Sequence, residues 1–405
     1  MKPNWKKNAA LFLTSQTLSL FGTMLVQYAI MWLIVLKTQS GAMMTIYILV
    51  AVLPTFFTSL LGGVWADRYN KKHLINLADG SIALISLAIA IGLSAGINSI
   101  ALLMIAACVR ALGQGVQQPA VTSLIPFIVP ENKLLKINGL NSSLQSGIYL
   151  LSPLVSASVM SLTSLQTLFL IDVVTAAIAI CILYFLVKVP LTDRRTKNEK
   201  KTSHFTDLMD GLKYLKSKKY LLLLVVFSGL STIFMSSLVL FPLQVTRNFG
   251  ADLWRLSAVE IGQAAGMIAG GLLIGVWCFR NRIYTIGAST IVMGILNILF
   301  GFWTNFTPYL VCTVIFGIIW PYFSTPCVTL IQERVAPDYL GRVLSTFTML
   351  GSLGMPFGML FFGPLADIVN INYVFIGTGT VIVLLGIMYF VSKTLREAGI
   401  KEIAR

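Results

Sequence analysis

Charge is what this chain has least of. Only 11% of its 405 residues are Asp, Glu, Lys or Arg, where a water-soluble chain carries about a quarter. That is too little to cover an aqueous surface, which excludes a soluble enzyme, a secreted disulfide scaffold and a disordered tail. Acids are the scarcer half, with 15 Asp+Glu against 30 Lys+Arg. The two histidines, His73 and His204, are too few for a histidine metal site. All five cysteines (Cys108, Cys181, Cys278, Cys312 and Cys327) lie in apolar runs without metal-ligand spacing, so they read as small packing residues. A phosphate loop and a serine-nucleophile elbow are also missing. No enzyme, metal site, cofactor or ATP-driven engine is expected.

What is present is hydrophobic: 56% of the residues, gathered into twelve stretches. They fall at about 9–36, 42–65, 74–95, 98–118, 138–162, 166–187, 220–243, 256–279, 283–301, 307–330, 343–366 and 371–391. Crossing a bilayer takes about 20 apolar residues. This predicts an all-α integral membrane protein with twelve transmembrane helices in two six-helix bundles, residues 1–187 and 220–405, joined by a linker over 188–219. Within the linker Phe205, Leu208, Met209, Leu212 and Leu215 recur at helical spacing. That reads as an amphipathic helix on the membrane surface, or as a plain tether. With the N-terminus inside, almost every Lys and Arg falls on the cytoplasmic side, except Lys37, Arg247 and Arg255 outside and Arg110 inside a helix. The basic excess therefore reports orientation, with both termini cytoplasmic and the lipid bilayer, not nucleic acid, as the partner.

The two halves echo each other. Pro119-Ala120-Val121-Thr122 precedes Pro130-Glu131 as Pro326-Cys327-Val328-Thr329 precedes Pro337-Asp338, and Gly63-Val64-Trp65 runs to Arg68 as Gly275-Val276-Trp277 runs to Arg280. Repeats of this kind mark transporters built from two similar bundles around a central site.

The segment Gly63-Val64-Trp65-Ala66-Asp67-Arg68-Tyr69-Asn70-Lys71-Lys72 carries a carboxylate at a helix end beside several cations. Such a loop can hold one geometry and release it when bundles move; the plainer reading is a positive-inside loop with a capping Asp. It resembles the loop between helices 2 and 3 of the major facilitator superfamily, with Gly63, Asp67, Arg68, Lys71 and Lys72 as the gating positions and Asn70 replacing a glycine at an expected positive-φ turn. The resemblance covers essentially the whole chain and implies the major facilitator fold. Within it, Gln16, Ser19-Leu20-Phe21-Gly22, Gln27-Tyr28-Ala29, Thr38-x-Ser40-Gly41, Asp79 and Pro337-x-x-Leu340-Gly341-Arg342 are similar to the macrolide and clostridial tetracycline exporters of low-GC bacteria. Where the tetracycline group carries acids in helix 2, this chain has Val52 and Ser59, which argues against tetracycline.

Arg110 matches the superfamily's intramembrane arginine, whose implied role is proton coupling; a structural ion pair is the alternative. Asp79 and Asp172 are its candidate partners, and an unpaired cation there costs several kcal/mol. Asp172 and Glu260 are the acids deepest in apolar runs, although each also suits a helix start. Asp172, between Leu170-Ile171 and Val173-Val174, is expected to carry the proton and Glu260 to attract a cationic drug. Gln27, Tyr28 and Trp32 are expected to line the substrate cavity. Gly147, Ser152 and Pro153 resemble the antiporter motif of exporters, while Gly262, Gly266 and Gly270 form a ridge that allows close or sliding helix contact. The resemblance implies a monomeric exporter in the bacterial cell membrane, exchanging a small amphipathic drug for protons. Transport of a native metabolite or siderophore on the same fold is the alternative.

Overall fold

The computed structural model describes residues 5–188, 213–275 and 281–398. Among them every regular element is helical. The first half holds α1 (Trp5–Thr38), α2 (Gly41–Arg68), α3 (Lys71–Ser94), α4 (Ile100–Ile128), α5 (Leu134–Leu162) and α6 (Leu165–Cys181), the last ending in a π turn, Ile182–Leu186. A helical piece at 213–217 (α7) leads into α8 (Lys219–Met235) and, through a 3-10 turn, α9 (Phe241–Phe249). Then come α10 (Leu253–Leu273), α11 (Arg282–Phe300), α12 (Phe306–Arg334), α13 (Pro337–Ile368), α14 (Ile371–Val391) and the short α15 (Lys393–Ala398).

Among the described residues eleven segments are long and apolar enough to cross a membrane, with α8 and α9 acting as one. With α5 the crossings number twelve; this helix matches α4 at 29 residues but carries Asn138, Asn141, Ser142, Ser143, Gln145 and Ser146. Helices suit this setting because each satisfies its own backbone where no water is available. The sequence pattern predicts that the fourth helix ends at 118, before Pro119. It runs instead to Ile128, through Pro119 and Pro126. In a packed bundle a proline costs one intrahelical bond, and neighbours keep the helix going.

A second correction concerns Asn70. The expected left-handed turn is absent: Asn70 has φ −65° and caps α3, accepting a hydrogen bond from the Lys72 amide. An N-cap asparagine satisfies one of the helix's orphan N–H groups. Asn281 does the same for α11, accepting from the Ile283 amide. The echo between the halves extends to what these corners touch. Lys72 donates from Nζ to the carbonyls of Tyr184 and Val187 at the end of the sixth crossing. Asn281 donates to the Arg396 carbonyl after the twelfth.

The described residues fall into two compact units. One takes in 5–38, 46–188 and 252–257; the other takes in 39–45, 213–251, 258–275 and 281–398. In the first unit α1 packs on α5 and α6, and α3 packs on α4 and α6. One end of that unit is sealed by Phe12, Ile75, Leu124, Ile128 and Leu183, all buried. In the second, α11 packs on α12 and α14, and α8 on α13. Its aromatic core joins Phe241, Phe300, Tyr309 and Phe375 around Gln244, which donates to the Phe300 carbonyl and accepts from the Tyr309 hydroxyl.

Ser40 and Gly41 also have a structural role inside the second unit. The Asp367 carboxylate accepts from the Ser40 hydroxyl, the Gly41 and Ala42 amides and Arg247. It thereby caps the orphan N–H groups that open α2. Of the expected linker helix, residues 205–212 lie outside the described residues; Leu215, in α7, is buried. In that same piece the Tyr214 ring stacks on Tyr339 at 4.8 Å.

Candidate functional site

Two polar clusters occupy the apolar interior of the first unit. In the first, Arg110 from α4 forms an ion pair with Asp172 from α6, both under 5% exposed. Ser86 of α3 bridges them, accepting from the guanidinium and donating to the carboxylate at 2.6 Å. Arg110 also donates to the Thr23 carbonyl of α1 at 3.2 Å. Four helices thus meet on one guanidinium. Of the two candidate partners, the structure pairs Arg110 with Asp172. A buried pair of this kind holds its charge only while both members and their hydrogen bonds are in place.

Close approach of α1 makes the cluster possible. A Cβ at Gly22 would lie 2.1 Å from the Thr175 hydroxyl and 2.9 Å from both Cα and Oδ1 of Asp172. Backbone cannot yield cheaply at that distance, so Gly22→Ala is expected to force α1 and α6 apart. The expected cost is about 1–3 kcal/mol, the usual range for overpacking. Thermal unfolding in detergent checks it; a variant with unchanged stability and transport would show that the contact is not needed.

The second cluster surrounds Asp79 of α3, which is 2% exposed. Its Oδ1 accepts from the Ser19 hydroxyl at 2.9 Å and from Gln117 Nε2 at 3.0 Å. The same amide nitrogen reaches Gln16 at 3.4 Å. Asp79 Oδ2 is buried and has no partner among the described residues.

Beside this cluster the first unit contains a cavity of about 650 Å³ between α1, α2, α4 and α5, with Gln16, Ser59, Gln117 and Tyr149 in its wall. A second space of about 160 Å³ shares Leu20, Gln117, Gln118 and Tyr149 with it and reaches Gln27 and Gln114. A third, about 30 Å³, shares Gln27 and Gln114 and touches Arg110. Gln117 therefore stands between the large cavity and Asp79, and a row of small polar spaces leads on to Arg110.

The remaining expected residues are dispersed. Trp32 is fully buried and its ring sits 5.6 Å from Tyr28, so it packs inside the bundle while Gln27 faces the cavities. Asp67 and Arg68 are exposed at the end of α2, and no hydrogen bond or ion pair reaches the Asp67 side chain from the described residues. Lys71 lies over the Phe127 ring at 4.8 Å, and Lys72 caps the sixth crossing as described. Gly63 and Gly147 have open space where a side chain would be. Ser152 and Pro153 are buried in α5. In the second unit Glu260 is half-buried without a polar partner among the described residues. The ridge of Gly262, Gly266 and Gly270 lies on α12. A Cβ at Gly266 would come 2.2 Å from the Val314 carbonyl, so the helices touch backbone to backbone.

Sequence reasoning missed Ser86, Asn141 and Gln145, and gave Ser19, Gln16, Gln114 and Gln117 no chemical role. The available signal was a run of uncharged amides at Gln114, Gln117 and Gln118 inside an apolar stretch. An amide buried in a bilayer is expensive unless something accepts its hydrogen bonds.

A bundle of membrane-length helices with buried charges and an amide-bearing cavity is the architecture of a membrane transporter. The chain belongs to the major facilitator superfamily, whose family model matches residues 10–359 and again 254–404. Macrolide efflux protein A of Streptococcus pyogenes is 31% identical over 402 residues, covering 98% of this chain and 99% of that protein. Macrolide efflux protein A of Enterococcus faecalis is 33% identical over 301 residues, covering 73% and 93%. A solved bacterial homolog of the human lysosomal transporter Spinster superimposes with a TM-score of 0.73 at 15% identity, covering 98% and 99% of the two chains; at that identity the likeness is one of fold.

Proposed function

We propose that this protein is a proton-coupled exporter of macrolide-type drugs, working by alternating access in the bacterial cell membrane with both termini cytoplasmic. The observation that carries the coupling is Asp79: a buried carboxylate with one satisfied oxygen and one free, one amide away from a cavity of about 650 Å³. Similarity to the two macrolide efflux proteins supports the substrate class.

The geometry supports a different division of roles from the one expected from sequence. Asp172 also keeps one oxygen, Oδ1, without a partner among the described residues, but its Oδ2 is held by both Arg110 and Ser86, which suits an acid that holds α3, α4 and α6 in register. Asp79 has a free oxygen too, but no ion pair among the described residues, and it reaches the cavity through Gln117, so it is the group that exchanges protons. A drug entering the cavity competes for Gln117, and loss of that hydrogen bond changes what Asp79 can hold. Arg110 and Asp172 transmit the change to the helices. The exposed Asp67–Lys72 corner serves as the gating loop and Glu260 as a second acid on the substrate path. The protein acts as a monomer.

Expression in a macrolide-sensitive bacterium tests this directly. Cells are expected to accumulate less labelled macrolide than controls, and a protonophore is expected to restore accumulation. Unchanged accumulation would remove the drug assignment; reduced accumulation that persists with the protonophore would remove the proton coupling.

A further inference from the structure

We propose that the large cavity of the first unit is a sugar-binding site, taking the hydroxyl-bearing glycoside of its ligand through side-chain carboxamides and not through charge. This rests on the drug-export reading and specifies which part of the drug is recognised.

The wall holds five carboxamides, Gln16, Gln117, Gln118, Asn141 and Gln145, together with the ring of Tyr149, and among the described residues no charged side chain. They divide into two groups. Gln16 and Gln117 are engaged with each other and with Asp79. The side chains of Gln118, Asn141 and Gln145 have no hydrogen-bond partner among the described residues, although each lines the cavity. Gln118 and Gln145 are exposed and Asn141 is half-buried, so all three amides are accessible to a ligand, and α5 is the long helix too polar to count among the eleven apolar spans found in the described residues. Asn141, Gln145, Ile148 and Tyr149 follow helical spacing, so they present one face of α5 to the same space.

A carboxamide places a donor and an acceptor side by side, while a carboxylate offers acceptors alone and an ammonium donors alone. Neighbouring hydroxyls of a sugar present the same alternation, so a wall of amides matches them without a net charge. Tyr149 adds a ring against which the C–H face of a pyranose can pack. An apolar drug surface needs none of these groups and would leave the amides unpaired. A site built to hydrogen-bond the closely spaced hydroxyls of a sugar discriminates against a ligand that offers only the scattered hydroxyls of a bare lactone ring.

The test uses the purified full-length protein in lipid nanodiscs, free of glycoside detergent. Equilibrium binding is measured for a radiolabelled glycosylated macrolide and for the same lactone ring stripped of its sugars. Wild type is expected to favour the glycosylated compound by at least about tenfold, about 1.4 kcal/mol. In Gln118→Leu, Asn141→Leu and Gln145→Leu that preference should shrink toward unity while lactone binding is kept. Because each ratio is taken within one protein preparation, partial unfolding does not alter it. Equal wild-type binding of the two compounds would overturn the sugar site and leave drug export standing. A preference unchanged in all three variants would move the sugar site elsewhere. Binding of neither compound would overturn both proposals.

Discussion

Arg110→Ala is expected to abolish transport and to destabilise the protein by about 3–5 kcal/mol, the range for removing one member of a buried ion pair. The guanidinium satisfies Asp172, Ser86 and the Thr23 carbonyl at once. Without it, the Asp172 carboxylate stands in an apolar interior with only Ser86 as donor. Arg110→Lys keeps the charge but has no planar fork to serve three acceptors, so it should retain part of the stability and part of the transport. A double variant, Arg110→Leu with Asp172→Leu, is expected to be more stable than Arg110→Ala alone, because no uncompensated charge remains. Thermal unfolding of the three variants in detergent, alongside drug uptake into inverted vesicles, separates the structural loss from the transport loss. Normal proton-driven export by Arg110→Ala would show that the cluster serves neither.

Asp79→Asn should have the opposite profile: a folded protein that binds drug but no longer couples it to protons. Asn keeps an oxygen to accept from Ser19 and Gln117, so the hydrogen bonds on that side survive. The change places an N–H₂ where Oδ2 has no partner, a penalty of about 1–3 kcal/mol that a well-packed bundle can absorb. Vesicles carrying this variant are expected to take up drug under an imposed pH gradient no faster than empty vesicles, with equilibrium drug binding close to wild type. Loss of binding together with loss of transport would recast Asp79 as part of the binding surface.

Much of the architecture was legible because a bilayer imposes a simple rule. Apolar runs of sufficient length must be helices, and their number, spacing and flanking cations predicted the twelve crossings. The internal arginine was legible for a related reason: a charge in an apolar run is too costly to be incidental, and Arg110 sits at the centre of a four-helix junction. Gly22 shows where pattern becomes geometry, since a residue noted only for its resemblance lies where a Cβ would strike Asp172.

What stayed hidden depends on packing between helices distant in sequence. Nothing local to Asp79 or Asp172 says that the first would lie one amide away from a cavity and the second against an arginine; 86 positions separate Ser86 from the carboxylate it bridges. Trp32 was read as cavity-lining because aromatics suit drug pockets, yet its face of α1 turns inward. Asn70 was read from the glycine it replaces, and the capping role of its own side chain decided the turn. The amides of α4 and α5 carried no familiar motif, so their shared cavity emerged only in three dimensions.

Drug binding is expected to change the protonation of Asp79, which can be read by adding a saturating macrolide to purified protein in weakly buffered solution containing a pH-indicator dye. Wild type is expected to change the proton concentration on drug addition, in an amount proportional to the protein present, and Asp79→Asn to give no change while still binding drug. A proton signal of wild-type size from the Asp79→Asn protein would contradict the account and place the exchanging group elsewhere.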